Sequence, residues 1–432
     1  MIAIIGGGAS GCALITALAH TNSKTAVTIF NPSDLGPGAA YAPQSASLLM
    51  NGPVRAMSIV EADKQHLKRW LVDEDDNTLI CRARYGAYLR STSAASLASY
   101  EGFSHVRRAI VDIERDGNDF VLTDDGGERH RATAVVLAMG NFAPNDSFIP
   151  KAILEFDGYA GDPWTMDISQ FDDRDAILIG SRLTAMDTIA LLDERAFRGK
   201  AHIISRHGML ACLEDPRVDG LDPEALALDV STPYKLLRSL RRAARETDAD
   251  WRAIVESIRS LIPSIWAGWS LRERRRFLRH AQSAWAVHRY RVPPATYAAF
   301  KRLYDEGRII LHRGRIVDGR SDGDSVVLDI HTEGTMTAIR VAHVINCTGP
   351  NGDVASNRDP LVVTALERGF IRADALRLGI DADERFRVVG ADGTVIDKLY
   401  AMGPLLRGVW YETTGIPEIA SHANKIVRAL VG

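Results

Sequence analysis

The chain of 432 residues is poor in cysteine, has no long apolar run and carries almost no net charge. Cys12, Cys81, Cys212 and Cys347 stand far apart, with no CxxC or CxxxxC pair. That spacing excludes a redox-active dithiol and a cysteine zinc site, and leaves each thiol as a small buried hydrophobe. No apolar stretch approaches the roughly eighteen residues of a membrane span. A net charge of −3 argues against chain-wide attraction to nucleic acid or to an anionic membrane. The first β-prone run begins at residue 2, leaving no room for a signal or transit segment, so a cytoplasmic protein is expected. No Ser-His-Asp set, paired carboxylates or metal-ligand cluster is conspicuous, and no metal is expected.

What is present begins at once. Ile2-Ala3-Ile4-Ile5 is a short β-prone run that ends in Gly6-x-Gly8-x-x-Gly11, and a helical stretch follows from Cys12 to Ala19. This is the strand–turn–helix order of a dinucleotide-binding unit. Gly6 permits the tight turn, Gly8 lets a pyrophosphate approach the backbone, and Gly11 lets helix and strand pack closely. Free N–H groups at the helix N-terminus, with Ser10 among the loop residues, would hold the phosphates. A second strand, Ala26 to Phe30, should end in an acid that reads the ribose. Asn31 stands there instead, in an Asn-Pro-Ser-Asp turn, and is taken as a weaker ribose contact.

Two later segments repeat part of this logic. Ala134 to Pro144 is a buried strand that turns at Gly140, with Met139 before it, and Val344 to Pro350 turns at Gly349. A small meander precedes each, Asp119–Thr123 and Ser325–Asp329. Between them, Ala176–Gly180 is a strand, Thr184–Leu192 a helix and Ala201–Ile204 the next strand, a second nucleotide-binding candidate. Arg206 follows that strand, where a 2′-phosphate would be met. The second loop has decayed to Gly180-Ser181-Arg182-Leu183-Thr184-Ala185, so Arg182 occupies the space of the pyrophosphate, to bind it or to plug it. Residues 221–300 form an Arg-rich helical insertion with Glu246, Asp248, Asp250, Glu256 and Glu273 interleaved, which suggests a solvated face and no nucleic-acid surface.

Further motifs carry a resemblance over nearly the whole chain. They are Gly36-Pro37-Gly38-Ala39-Ala40-Tyr41, Leu48-Leu49-Met50-Asn51, Arg84-Tyr85-Gly86-Ala87-Tyr88-Leu89 and Trp285 to Pro294. To these are added Gly403-Pro404-Leu405-Leu406-Arg407-Gly408 and Trp410 to Ile419. With Gly6–Gly11, these blocks resemble the bacterial two-dinucleotide FAD/NAD(P)-binding proteins, relatives of the flavin-dependent amino-acid N-hydroxylases. The sequence departs from that pattern at Arg182, where glycine is usual, and at Tyr290, where histidine is usual.

The resemblance implies an α/β fold of two Rossmann-like units, a glutathione-reductase-like FAD domain and an NAD(P) domain bearing the helical insertion. The expected boundaries are 1–165 and 316–432 for the FAD domain, and 166–315 for the NAD(P) domain. It implies FAD and NADPH or NADH as cofactors, with Gly6, Gly8, Ser10, Gly11, Asn31, Asn51, Met139, Gly140, Gly180, Arg182, Arg206, Gly349, Thr413 and Thr414 in contact with them. Thr413 or Thr414 would cap the final helix, with Pro417 in its first turn. Asn51, on the flavin side, and His288, as a base, are the catalytic candidates. Arg289, Arg291 and Arg407 would bind a carboxylate-bearing substrate. The expected reaction is NAD(P)H- and dioxygen-dependent hydroxylation of an amino acid or amine on nitrogen, in a chain able to form homo-oligomers. The alternatives are a flavin reductase or dehydrogenase, and a flavin-bound regulatory protein without turnover.

Overall fold

Four uniformly buried strands, Ile2–Ile5, Val27–Phe30, Ala134–Leu137 and Ala176–Ile179, show why two sheets form. Each is a short apolar run with no polar alternation, the pattern of a parallel strand covered on both faces. The computed structural model describes residues 1–21, 23–42 and 45–431.

The first sheet has six strands, in the order 387–389, 395–401, 134–137, 2–5, 27–30, 103–106. Ile2 pairs in parallel with Val27 on one side and Ala134 on the other. The helix Ala9–Ala19 is buried over most of its length, packed between Arg82–Ser99 and the final helix Ile416–Val431. A three-stranded meander, 110–116, 119–124 and 129–132, leads into strand 134–137. Its turn is held by Asp124, whose carboxylate accepts from the backbone N–H of Gly126 and of Glu128 and from His130. Asp124, Glu128 and His130 are the one group of ligand-type side chains brought within 4.8 Å among the described residues, and those turn bonds account for Asp124.

The second sheet has seven strands, in the order 335–341, 325–332, 309–322, 201–205, 176–179, 343–346, 159–160. This corrects the expected boundary at 316. Ser325–Thr332, Thr335–Val341 and His343–Asn346 belong to the second unit, which runs from 159 to 346. The two meanders look alike in sequence, and only long-range pairing tells them apart: His343–Asn346 lies parallel to Ala176–Ile179.

The insertion folds as the helices Pro233–Glu246, Trp251–Ser257, Ile262–Gly268, Leu271–His280 and Gln282–Arg289. Thr232, Asp250 and Ser270 cap three of them, accepting from Lys235 N, Arg252 N and Glu273 N. Its own core of Trp266, Trp269, Phe277 and Trp285 also contains Tyr411. The Trp266 indole N–H donates to Gly408 O at 2.9 Å, anchoring the insertion to the segment before the final helix. Elsewhere the units are joined by Arg82, whose guanidinium pairs with buried Asp187 at 3.3 Å and lies over Trp164. No described helix is long and apolar enough to cross a membrane.

Candidate functional site

The two glycine loops share one construction. Gly6 sits at φ +105°, and a Cβ there would lie 2.4 Å from Ala138 O. Gly180 sits at φ +115°, and a Cβ there would lie 2.4 Å from Cys347 O. Each turn therefore rests on the carbonyl that follows its neighbouring parallel strand, and only glycine fits. Gly11 closes the first loop, since its Cβ would meet Gly6 O at 2.2 Å. Gly8 differs. A Cβ there would meet only Gly38, at 3.4 Å, so the space above it is open for a ligand backbone. Ser10 is buried beside this loop and close to the turn at Gly403. Gly140, at φ +74°, has open space around it, and Met139 is half-buried against the core. These residues form a cradle that a pyrophosphate fits.

Asn31 needs correction. Its Oδ1 accepts from Gly7 N at 2.9 Å, while its Nδ2 donates to Ser33 O, Ser33 Oγ and Asp34 O. The amide is spent on fixing the glycine loop, which is how a shorter, neutral side chain serves at this strand end. The final helix begins at Ile416, with Ile419 N donating to Gly415 O. Thr413 and Thr414 thus precede the helix and do not occupy its cap. Thr413 is fully buried, and its hydroxyl has no partner among the described residues.

The second loop opens on a cavity of about 510 Å³. Gly180, Arg182, Ser205, Arg206, His207, Arg315 and Thr348 line it, and no carboxylate does. Ser181 also lines it, its hydroxyl donating to Met209 O and Ser205 Oγ. Arg182 precedes the helix Leu183–Glu194 in extended conformation, with its side chain exposed in the cleft. Desolvation there, together with Arg407 and Arg206, lowers its pKa. Arg182, Arg206 and Arg407 have no carboxylate partner among the described residues. Gly349, at φ +87°, makes the turn out of strand 343–346.

A second cavity, of about 190 Å³, lies where the insertion meets the first unit. Asn51, Met57, Glu256, Arg289, Tyr290, Glu412 and Thr414 are in its wall. Here the expectation for Arg289 and Arg291 is corrected. Both are buried, 8% and 4% exposed, and both are already neutralised within the protein. Arg289 reaches Glu412 at 3.1 Å and Glu256 at 3.5 Å, and Arg291 reaches Glu214 at 2.8 Å and Glu256 at 3.3 Å. Arg259 pairs with Glu418 at 2.9 Å and with Glu256 at 3.2 Å, and the Tyr290 hydroxyl donates to Glu412 at 3.1 Å. Burial pushes Glu256 up, yet Arg289, Arg259 and Arg291 together hold it below its ordinary value and ionised. Glu256 is therefore no member of a solvated face. Sequence reasoning missed this network because its partners lie up to 159 residues apart.

His288 is exposed, its Nδ1 bonded to Ala284 O and its ring edge-on to Trp251, and it lines neither cavity. A role as the base that receives a substrate proton has no geometry behind it. Arg407 is half-buried over the Tyr411 ring, at 5.6 Å.

Residues 3–142 match the family model for FAD-NAD(P)-binding proteins. No curated protein sequence matches the chain. Among solved structures, it resembles the ornithine N-hydroxylase of Kutzneria sp. 744 at 13% identity, with a TM-score of 0.66, over 99% of this chain and 98% of that one. It also resembles the cadaverine monooxygenase of the Erwinia amylovora desferrioxamine pathway, at 12% identity and TM-score 0.69, over 100% and 94%. The bacillithiol disulfide reductase of Bacillus cereus has the same fold, at 15% identity and TM-score 0.57, over 100% and 98%. The fold is that of the two-dinucleotide-binding flavoproteins.

Proposed function

We propose that the protein is an FAD-dependent monooxygenase that uses NADPH and dioxygen to hydroxylate a small polar substrate on nitrogen. The observation that carries this reading is the pairing of two glycine turns of one design, the second of which opens on a cavity lined by arginines. Bound at the first turn, a reduced flavin with dioxygen would supply the oxygen-transfer chemistry.

The chain's own groups have distinct tasks in this reading. Gly6, Gly8 and Gly11 with Ser10 hold one dinucleotide, and Asn51 and Thr414 offer polar atoms on the flavin side. Gly180 and Arg182 flank the second dinucleotide. Arg206, His207 and Arg315, in an acid-free wall, favour a ligand with an additional phosphate, and hence NADPH over NADH. The structurally similar proteins include an ornithine N-hydroxylase and a cadaverine monooxygenase, and the first supports nitrogen as the atom hydroxylated. A reductase working through a redox-active dithiol would need paired cysteines, and Cys12, Cys81, Cys212 and Cys347 are all free. The burial of Cys12 and Cys347 pushes their thiols up, to about 11 and about 12, away from thiolate chemistry.

The test is oxygen uptake by the FAD-loaded protein with NADPH and a panel of amines and amino acids. Substrate-stimulated uptake with a hydroxylamine product supports the reading. NADPH oxidation without oxygen uptake favours a reductase, and no NADPH oxidation favours a protein without turnover.

A further inference from the structure

We infer that two copies of the chain pair through the arginine face of the insertion, which docks against an acidic groove at the edge of the other copy's second sheet. The inference is independent of the reaction proposed above. The acids interleaved with these arginines in sequence do not neutralise them in space. Glu246 pairs with Arg242 at 3.6 Å, Asp250 with Arg252 at 3.1 Å and Glu273 with Arg276 at 2.9 Å, while Glu256 belongs to the network with Arg289 and Arg291. Arg238, Arg241, Arg245, Arg275 and Arg279 are exposed and have no carboxylate partner among the described residues. Arg238, Arg241 and Arg245 recur at helical spacing on one face of Pro233–Glu246, opposite buried Leu236, Leu240 and Ala243. Tyr234 stands 71% exposed on the same stripe. Arg275 and Arg279 share a face of the neighbouring helix Leu271–His280 with exposed Leu271.

The complement lies on the same chain. A groove of about 860 Å³ runs beside Tyr159–Ala160, the edge strand of the second sheet. Glu155, Asp157, Asp162, Asp167, Asp172 and Asp324 are in its wall, where Arg174 is the one arginine and no lysine stands. Arg174 is shared between Asp172, at 2.7 Å, and Asp324. Asp157, Asp162 and Asp167 meet no cation among the described residues. With so basic a face and a net charge of −3, the rest of the chain carries surplus acid, which repels nucleic acid and anionic membranes but attracts that face of another copy. Exposed ion pairs contribute little singly, so many of them orient the contact around the Tyr234 and Leu271 anchors. A two-fold dimer makes the contact twice and closes, whereas one contact per copy would propagate into a filament.

The experiment is sedimentation velocity of the full-length, FAD-loaded protein over a range of concentrations. Salt is raised from about 0.1 M to about 1 M, which shortens the screening length from about 10 Å to about 3 Å. The expected result is a dimer at the lower salt whose Kd rises at least about tenfold at the higher. Arg241→Glu with Arg245→Glu, and separately Glu155→Lys with Asp157→Lys, change exposed side chains and should keep their flavin. Each double variant alone should be monomeric, because like charges then meet in both contacts. An equimolar mixture of the two should dimerise, because both contacts of the mixed pair are again complementary. The single substitutions Arg241→Glu and Asp157→Lys replace a double variant that loses its flavin. A wild-type monomer at the lower salt, a dimer that withstands either reversal, or a mixture that stays monomeric overturns the inference. Binding of a monomeric wild type to RNA or to anionic vesicles, lost in the arginine variant, would assign the face to that partner and overturn it too.

Discussion

Gly8→Val separates the fold of the first loop from its ligand. A Cβ at Gly8 has 3.4 Å to Gly38 Cα and 3.9 Å to Gly38 N, and nothing nearer. The backbone at φ −74°, ψ −159° is one that valine adopts. The empty protein should therefore fold with little loss. The branched side chain, however, occupies the space through which a pyrophosphate must approach the loop. A ligand present at about 100 times its Kd stabilises a protein by about 2.7 kcal/mol. For a domain of this size that corresponds to roughly 5–10 °C in Tm. Wild type should gain that increment on adding FAD, whereas Gly8→Val should gain none and purify colourless. Gly11→Ala provides the contrast, since its Cβ would lie 2.2 Å from Gly6 O and the empty protein itself should be destabilised. The assays are the flavin-to-protein ratio by absorbance and melting with and without FAD. Stoichiometric FAD in Gly8→Val, or an empty Gly8→Val as unstable as Gly11→Ala, would refute the assignment of this loop.

Other outcomes follow from particular contacts. Burial outweighs Arg82 at Asp187 and raises its pKa from 3.8 to about 6. The folded state then binds the extra proton between those values, so stability rises as pH falls through about 6, by about 1.4 kcal/mol from pH 8 to pH 5; Asp187→Asn should lack this increment in denaturant titrations at the two pH values. Arg206→Glu should raise the KM for NADPH at least about tenfold, with little change for NADH, because it places a carboxylate where a 2′-phosphate is expected; equal effects on both would remove Arg206 from that role. Arg182→Gly distinguishes phosphate binding from plugging in stopped-flow flavin reduction: slower reduction by NADPH means that the guanidinium binds, faster means that it obstructs. Arg289→Met should destabilise the protein by about 3 kcal/mol or more, since it strands buried Glu412 without its guanidinium and leaves Glu256 with Arg259 and Arg291 alone, and a loss below about 1 kcal/mol would contradict the network.

The first glycine loop was legible in the sequence because its strand, turn and helix are contiguous and each glycine answers a local steric demand. The second loop was legible despite Arg182, because Gly180 keeps the same turn against Cys347 O. The boundary at 316 was not, since pairing of 309–322 with 201–205 is a long-range choice that two similar meanders cannot announce. Arg289 and Arg291 were recognised as guanidiniums that need anions, but their anions come from Glu214, Glu256 and Glu412 and not from a ligand. Asn31 and His288 show the same limit. A polar side chain at the right place in the chain had already been spent on a neighbour, Gly7 N in one case and Ala284 O in the other.

The most direct measurement of the central claim is the fate of isotopically labelled dioxygen. FAD-loaded protein, NADPH and an amine substrate should yield a hydroxylamine carrying one labelled oxygen for each NADPH oxidised, detected by mass spectrometry. NADPH consumption with no label in any organic product, the labelled oxygen being recovered only in hydrogen peroxide or water, would contradict it.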